Sequence, residues 1–279
     1  MNLYSIIEEI EKVDPEFQDR VNPRRAAIKN ITSFGSKVAV AAMPFVFSTL
    51  FKKAYGQTAP VSVADVLNYA LKLEYLEAAF YNQGATSSLG FSSSERSYVN
   101  TIRGHENAHV TFLRNTLGSA AVAQSTQGTA GVYDFTAGGT FPTVFTSVDT
   151  FFAVAQALED TGVRAYKGQA PNLMKDAVAL TAALNIHSVE ARHAAAVRQI
   201  RRTRGASGTK PWITGANDTG ISAVNANYAG EDNVMQGPVT ITSLAGVGGN
   251  ISTNAATASF DEPLTMAQVL PLVTPFGVK

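Results

Sequence analysis

The sequence predicts a mainly α chain: an up-down four-helix bundle with one long crossover, followed by an irregular Gly/Thr/Asn-rich C-terminal extension. Three observations carry this. Between residues 61 and 204, apolar side chains recur at helical spacing in four separate stretches. The first two stretches and the last two present the same ionisable residues in the same order. The connections inside each pair are short, whereas residues 118–146 between the pairs are too long for a tight turn.

Residues 1–60 do not belong to this pattern. A charged amphipathic stretch over 2–20 leads to Arg24-Arg25, then Ile28 and Lys29, an apolar run from Phe34 to Phe51 broken by Lys37, and a small-residue exit before Pro60. Charged start, apolar run and small-residue exit form the layout of an export signal, and the Arg pair with Ile28 and Lys29 resembles a twin-arginine address. The alternative is an amphipathic N-terminal helix that stays on the chain. The apolar run is short for a membrane span, which needs ~20 residues with few charges.

The first bundle helix is expected to open at Ser62-Val63-Ala64-Asp65, a capping-box pattern. Leu67, Ala70, Leu71, Glu74, Ala78 and Tyr81 share one face, and Gly84 is expected to end it. Ser92, Ser93 or Ser94 caps the second helix, whose stripe is Val99, Ile102, Glu106, His109, Val110, Leu113 and Leu117, and Gly118 closes it. Residues 118–146 show no helical period, and Gly131–Phe135 is a candidate strand. Ser147 or Asp149 starts the third helix, with Val148, Phe152, Ala155, Glu159, Gly162, Val163 and Tyr166 in its stripe and Gly168 and Pro171 as breakers. Asn172 is the expected cap of a long fourth helix carrying Ala179, Ala183, Ile186, Glu190, His193, Ala194 and Val197. Arg198, Arg201, Arg202 and Arg204 near its end suit the negative pole of the helix dipole, and Gly205 stops it. In the extension, Val239–Leu244 reads as strand, Thr265–Val273 as a short helix, and Trp212 as a packing residue.

Composition narrows the chemistry. With 22 basic and 22 acidic residues the formal charge is zero, which argues against nucleic acid as a partner. The chain has no cysteine, so thiol nucleophiles, Fe–S clusters and Cys-ligated zinc are excluded. A bound metal would have to be held by His, Asp and Glu, and all 4 His (His105, His109, His187, His193) fall in the bundle segment.

The repeat concentrates such ligands. Each half holds a lone glutamate (Glu74, Glu159), a tyrosine seven residues later (Tyr81, Tyr166), and a Glu-x-x-His motif (Glu106/His109, Glu190/His193). In a helix, residues three apart lie about 60° from one another around the axis and under one turn apart, so both side chains can reach one ion. Two such motifs with two lone glutamates place four carboxylates and two imidazoles among apolar stripe residues. Buried carboxylates without cations or protons are strongly unfavourable. The set suits iron or manganese better than magnesium or calcium. Glu77 lies about 80° off the stripe centre and reads as a flanking residue supporting the ligands. His105 and His187 read as half-exposed helix histidines, His187 close enough to Glu190 to flank the site.

These residues match a known ligand pattern, and residues 61–204 resemble the ferritin-like four-helix bundle of di-iron and di-manganese carboxylate proteins. Leu71-Lys72-Leu73-Glu74-Tyr75-Leu76-Glu77-Ala78-Ala79-Phe80-Tyr81 and Phe260-Asp261-Glu262-Pro263-Leu264-Thr265 resemble its desiccation-related subfamily. The resemblance implies metal ligands Glu74, Glu106, His109, Glu159, Glu190 and His193 for two Fe or two Mn ions, with Tyr81 and Tyr166 in supporting positions, Tyr81 going with Glu74 and Tyr166 with Glu159. It implies a ferroxidase-like or manganese-catalase-like oxidoreductase that acts on a small oxidant such as O2 or peroxide in a stress role. The expected location is periplasmic or extracellular. The long segments 118–146 and 205–262 argue against a ferritin storage cage and offer surfaces for self-association or an envelope partner. The alternative function is an exported structural or interaction protein that uses the bundle as a scaffold, with or without metal.

Overall fold

A computed structural model describes residues 61–124, 133–216, 218–246 and 248–279. The expected export signal or N-terminal helix over 1–60 lies outside the described residues.

Four long helices build the body: α1 (Val63–Thr86), α2 (Ser93–Leu117), α3 (Val148–Gln169) and α4 (Ala177–Thr203). Ser62 and Ser92 open α1 and α2 through full capping boxes with Asp65 and Glu95, so orphan amides at both helix starts have partners. Ser147 caps α3. Asp176, not Asn172, caps α4, because a 3-10 turn over Ala170–Leu173 continues α3 past the expected breakers. Gly118 leaves α2 at φ 55°, a conformation that favours glycine. Gly84 does not end α1, which runs two residues further. A Cβ there would stand 2.3 Å from the Phe151 ring, so this glycine permits close packing of α1 on α3.

Contacts fix the directions. Asn68 reaches Ala120 and Asn82 meets Asn107, so α1 and α2 are antiparallel. Arg204 pairs with Asp149 and Arg198 with Asp160, so α3 and α4 are antiparallel. Across the bundle, Tyr81 meets Glu159 while Tyr166 meets Glu74, which makes α1 and α3 antiparallel as well. It follows that α3 runs parallel to α2, the order that a long crossover permits and a short loop does not. The crossover is held by an aromatic cluster. Phe80 stacks on Phe151 at 4.6 Å and meets Phe135 edge-on at 5.4 Å, and Tyr133, Phe141 and Val144 are buried beside them. Residues 133–135 form no strand, and the rest of that candidate strand, 131–132, lies outside the described residues.

The extension is irregular, as expected. Two-residue strands β1 (Met235–Gln236) and β2 (Val239–Thr240) pair, as do β3 (Ala245–Gly246) and β4 (Gly249–Asn250). The expected strand Val239–Leu244 thus shortens to β2, after which the chain turns. Two short helices follow, α5 (Thr253–Thr257) and α6 (Met266–Val273), the latter capped by Thr265 and Gln268.

Buried arginines explain how so irregular a chain stays on the bundle. Arg164 pairs with Glu231 at 2.7 Å and donates to the carbonyls of Glu262, Asn227 and Ala229. Arg198 pairs with Asp160 at 2.9 Å and donates to the carbonyls of Lys210, Trp212 and Asp218. These bonds satisfy loop carbonyls that no sheet or helix serves. The arginine run of α4 therefore does more than answer the dipole: Arg198 and Arg201 are buried clamps. Trp212, expected as a packing residue, is 51% exposed and lies at the surface of the extension. Among the described residues, no helix is long and apolar enough to cross a membrane.

Candidate metal centre

The four helices bring every expected ligand to the centre of the bundle. Glu74 comes from α1, Glu106 and His109 from α2, Glu159 from α3, and Glu190 and His193 from α4. Their donor atoms form two overlapping groups. One is Glu74, Glu106, His109 and Glu190; the other is Glu106, Glu159, Glu190 and His193. Within each group the atoms lie within 4.8 Å of one another. Glu106 and Glu190, the glutamates of the two Glu-x-x-His motifs, belong to both groups.

The two halves are arranged alike. Glu74 turns Oε1 to the Tyr166 hydroxyl at 2.5 Å and Oε2 to His109 Nδ1 at 3.1 Å. Glu159 turns Oε1 to the Tyr81 hydroxyl and Oε2 to His193 Nδ1 at 3.3 Å. Each tyrosine thus serves the glutamate of the other half. The expected pairing of Tyr81 with Glu74 and Tyr166 with Glu159 is crossed, because seven residues along a helix carry the hydroxyl about 10 Å past its own glutamate. Antiparallel α1 and α3 then bring it level with the opposite one.

Glu77 lies deeper than its helical angle suggested. It is fully buried beside Glu190, Glu159, Glu106 and Glu74, and burial followed by those four charges holds its carboxyl well above the usual range. Room for it comes from Gly162 on α3, where a Cβ would stand 3.2 Å from Glu77 Oε1 and 3.5 Å from Glu190 Oε2. A glycine in mid-helix costs about 1 kcal/mol in helix propensity, and that local cost was the sequence signal for a crowded neighbour.

The electrostatics are those of a site rich in negative charge. Burial raises Glu74 to about 7, with Glu106 adding to the effect against the pull of His109. Glu190 and Glu159 are raised by burial too, Glu190 strongly. Glu106 goes the other way, to about 2: burial opposes this, but both imidazoles act on it. Burial would lower the histidines, yet the surrounding carboxylates push His109 up to about 12 and His193 up to about 11.

Several buried ligand atoms lie close together without a well-aligned hydrogen bond: Glu106 Oε1 and Glu159 Oε2 stand 2.9 and 3.3 Å from His193 Nδ1, and Glu190 Oε1 stands 3.1 Å from His109 Nδ1. Such atoms need an explanation in a folded core. They converge on the shared glutamates and form a carboxylate–imidazole donor set suited to iron or manganese. The residues therefore fit divalent metal ions, whose charge the ionised ligand carboxylates would help to balance.

A sequence profile of the ferritin-like domain matches residues 62–203. The chain belongs to the ferritin-like family. No curated protein and no solved structure matches it. The matched segment starts at the Ser62 cap and ends at the last residue of α4, so it covers the bundle and all six ligand candidates. This ferritin-like bundle also holds His105 in a place its spacing did not reveal. The His105 ring is exposed, yet it stacks on the His193 ring with Nδ1 2.9 Å from His193 Nε2. His187 does not join the ligand set; it lies near Asp261 and Lys167 instead.

Proposed function

We propose that this ferritin-like chain is an exported dinuclear carboxylate protein that holds two iron or two manganese ions and turns over O2 or peroxide. One observation carries the metal-site reading: two overlapping four-residue donor groups that share Glu106 and Glu190; the export part rests on the Arg24-Arg25 pair of the sequence. When bound, the ions would supply reducing equivalents and Lewis acidity.

The chain's own residues have definite tasks in this reading. Glu106 and Glu190 span the two positions, and Glu74 and Glu159 close the ends. Tyr166 and Tyr81 hold the outer oxygens of those end carboxylates and leave the inner oxygens free to donate. His109 and His193 turn Nδ1 inward. Burial and the four ligand carboxylates raise the Glu77 carboxyl, which favours its neutral form beside them. Leu71, Phe80, Val99, Ile102 and Ala155 pack the bundle around the site and keep bulk water out.

The test is stoichiometry. Metal-free protein loaded anaerobically with Fe(II) or Mn(II) is expected to retain two ions per chain by elemental analysis, and to consume O2 or peroxide when challenged. The Glu106→Gln, Glu190→Gln double variant keeps the volume and removes the shared charges, and it should lose both ions. Retention of two ions by that variant would reject the ligand assignment. A wild-type chain that retains no transition metal would leave the scaffold function standing.

A further inference from the structure

The two imidazoles at the site are not equivalent on their outer sides. His193 Nε2 meets His105 Nδ1 at 2.9 Å, with the rings stacked 5.1 Å apart and 13° from parallel. Among the described residues, none bonds to Nε2 of His109. His193 Nδ1 points inward, 2.9 Å from Glu106 Oε1 and 3.3 Å from Glu159 Oε2.

We propose that His105 is a positioning residue for the ion expected among Glu106, Glu159, Glu190 and His193: its Nδ1 accepts the Nε2 proton of His193, so that His193 offers a bare Nδ1. The inference rests on the dinuclear reading above. The polarity is that of the loaded site, where His193 has given up its Nδ1 proton and is a neutral imidazole that carries one proton. If His105 Nδ1 were the donor, His193 Nε2 would be the acceptor, and the proton of His193 would sit on Nδ1, where it blocks ligation. With His105 as acceptor, the remaining proton of His105 lies on Nε2. Ring stacking adds an orientation lock, since rotating His193 about its Cβ–Cγ bond would break both contacts. A hydrogen-bonded partner on the outer nitrogen of a metal-binding imidazole commonly sets its tautomer and ring direction. Here that partner comes from the residue just before Glu106 on α2, so one turn of helix supplies both a shared carboxylate and the lock on the opposite histidine.

The asymmetry gives the test. Anaerobic Co(II) titration, read by visible absorption, separates the two binding steps. His105→Ala should weaken one step by roughly 10–100-fold and leave the other within a factor of two or three. His105→Gln, whose amide oxygen can accept the same proton, should recover most of the loss. A second measurement needs no variant: in Zn(II)-loaded wild-type protein labelled with 15N-histidine, long-range 1H–15N spectra should show His193 protonated at Nε2. Unchanged Co(II) binding in His105→Ala would overturn the proposal, as would equal weakening of both steps, which signals a general packing role. A Nδ1-protonated His193 in the Zn(II) form would also overturn it. Failure of the dinuclear reading looks different: the wild-type chain itself would take up no Co(II) in two steps, and this proposal would fall with it.

Discussion

The Tyr166 hydroxyl on α3 donates to Glu74 Oε1 on α1 at 2.5 Å, across the bundle interior. Both residues are buried, so the bond is made where water cannot replace it. Tyr166→Phe leaves Glu74 Oε1 without its donor at nearly unchanged volume. The expected cost is about 1–3 kcal/mol of stability in the metal-free protein at pH 8. Urea unfolding of the two proteins side by side measures it, and coincident curves would show that the bond contributes nothing to stability.

The bundle and the six ligand candidates were legible because each is a periodic signal. Glu106 and His109 lie in one apolar stripe, and Glu190 and His193 repeat that pattern after a near-equal interval from a lone glutamate. What was not legible depends on contacts between helices. The crossed service of Glu159 by Tyr81 follows from the antiparallel setting of α1 and α3, which no single-helix spacing contains. His105 lies off the ligand stripe of α2, and only the position of α4 brings His193 under its ring. Glu77 was placed on the flank by helical angle, but Gly162 opens a pocket that takes it inside. In the extension, Arg164 and Arg198 replace periodic pairing with carbonyl contacts from distant segments, and such contacts leave no period to read.

Gly168 makes a separate prediction about the extension. A Cβ at this position would stand 1.8 Å from the Leu264 carbonyl oxygen, and Leu264 N donates to Arg164 O at 3.0 Å nearby. Gly168→Ala must therefore push the segment before α6 off α3, at a cost of about 1–3 kcal/mol or more from overpacking. The melting temperature should fall, and limited proteolysis should cut within 205–279 more rapidly while the bundle resists. Equal cleavage rates would mean that the segment is not held by this contact.

The export reading rests on Arg24 and Arg25, which lie outside the described residues. A twin-arginine address depends on the guanidinium pair, which a lysine ammonium does not reproduce in geometry. Arg24→Lys with Arg25→Lys should leave the protein inside the cell. Fractionation decides the point, and undiminished delivery of the Lys-Lys variant would remove the twin-arginine reading while leaving the metal site untouched.

The strongest coupling predicted is between pH, metal and stability. In the metal-free chain, Glu74 is raised to about 7, and Glu77, Glu159 and Glu190 are raised as well. The folded state therefore holds more protons than the unfolded chain once pH exceeds about 4.5, the ordinary glutamate range, and stability falls as pH climbs through that window toward 7. His109 and His193, raised to about 12 and about 11, add the same sign: their contribution is complete below about 6.5 and is lost as pH rises through the folded values. Glu106 opposes, its contribution present above about 4.5 and lost only as pH falls toward about 2, and so do His105 and His187, which burial lowers and whose contribution is present above about 6.5 and lost as pH falls. Metal-free protein should accordingly melt at a lower temperature at pH 8 than at pH 5. Divalent ions reverse the slope, because they bind the deprotonated ligands and must displace protons to do so. At a hundredfold excess over its dissociation constant, each independent ion adds about 2.7 kcal/mol, and that gain should shrink on acidification. Thermal unfolding with and without Mn(II), or Fe(II) under anaerobic conditions, from pH 5 to 8 measures both slopes. Superimposable melting curves for the two forms at every pH would reject a metal-binding bundle, since a scaffold without ions has no reason to distinguish them.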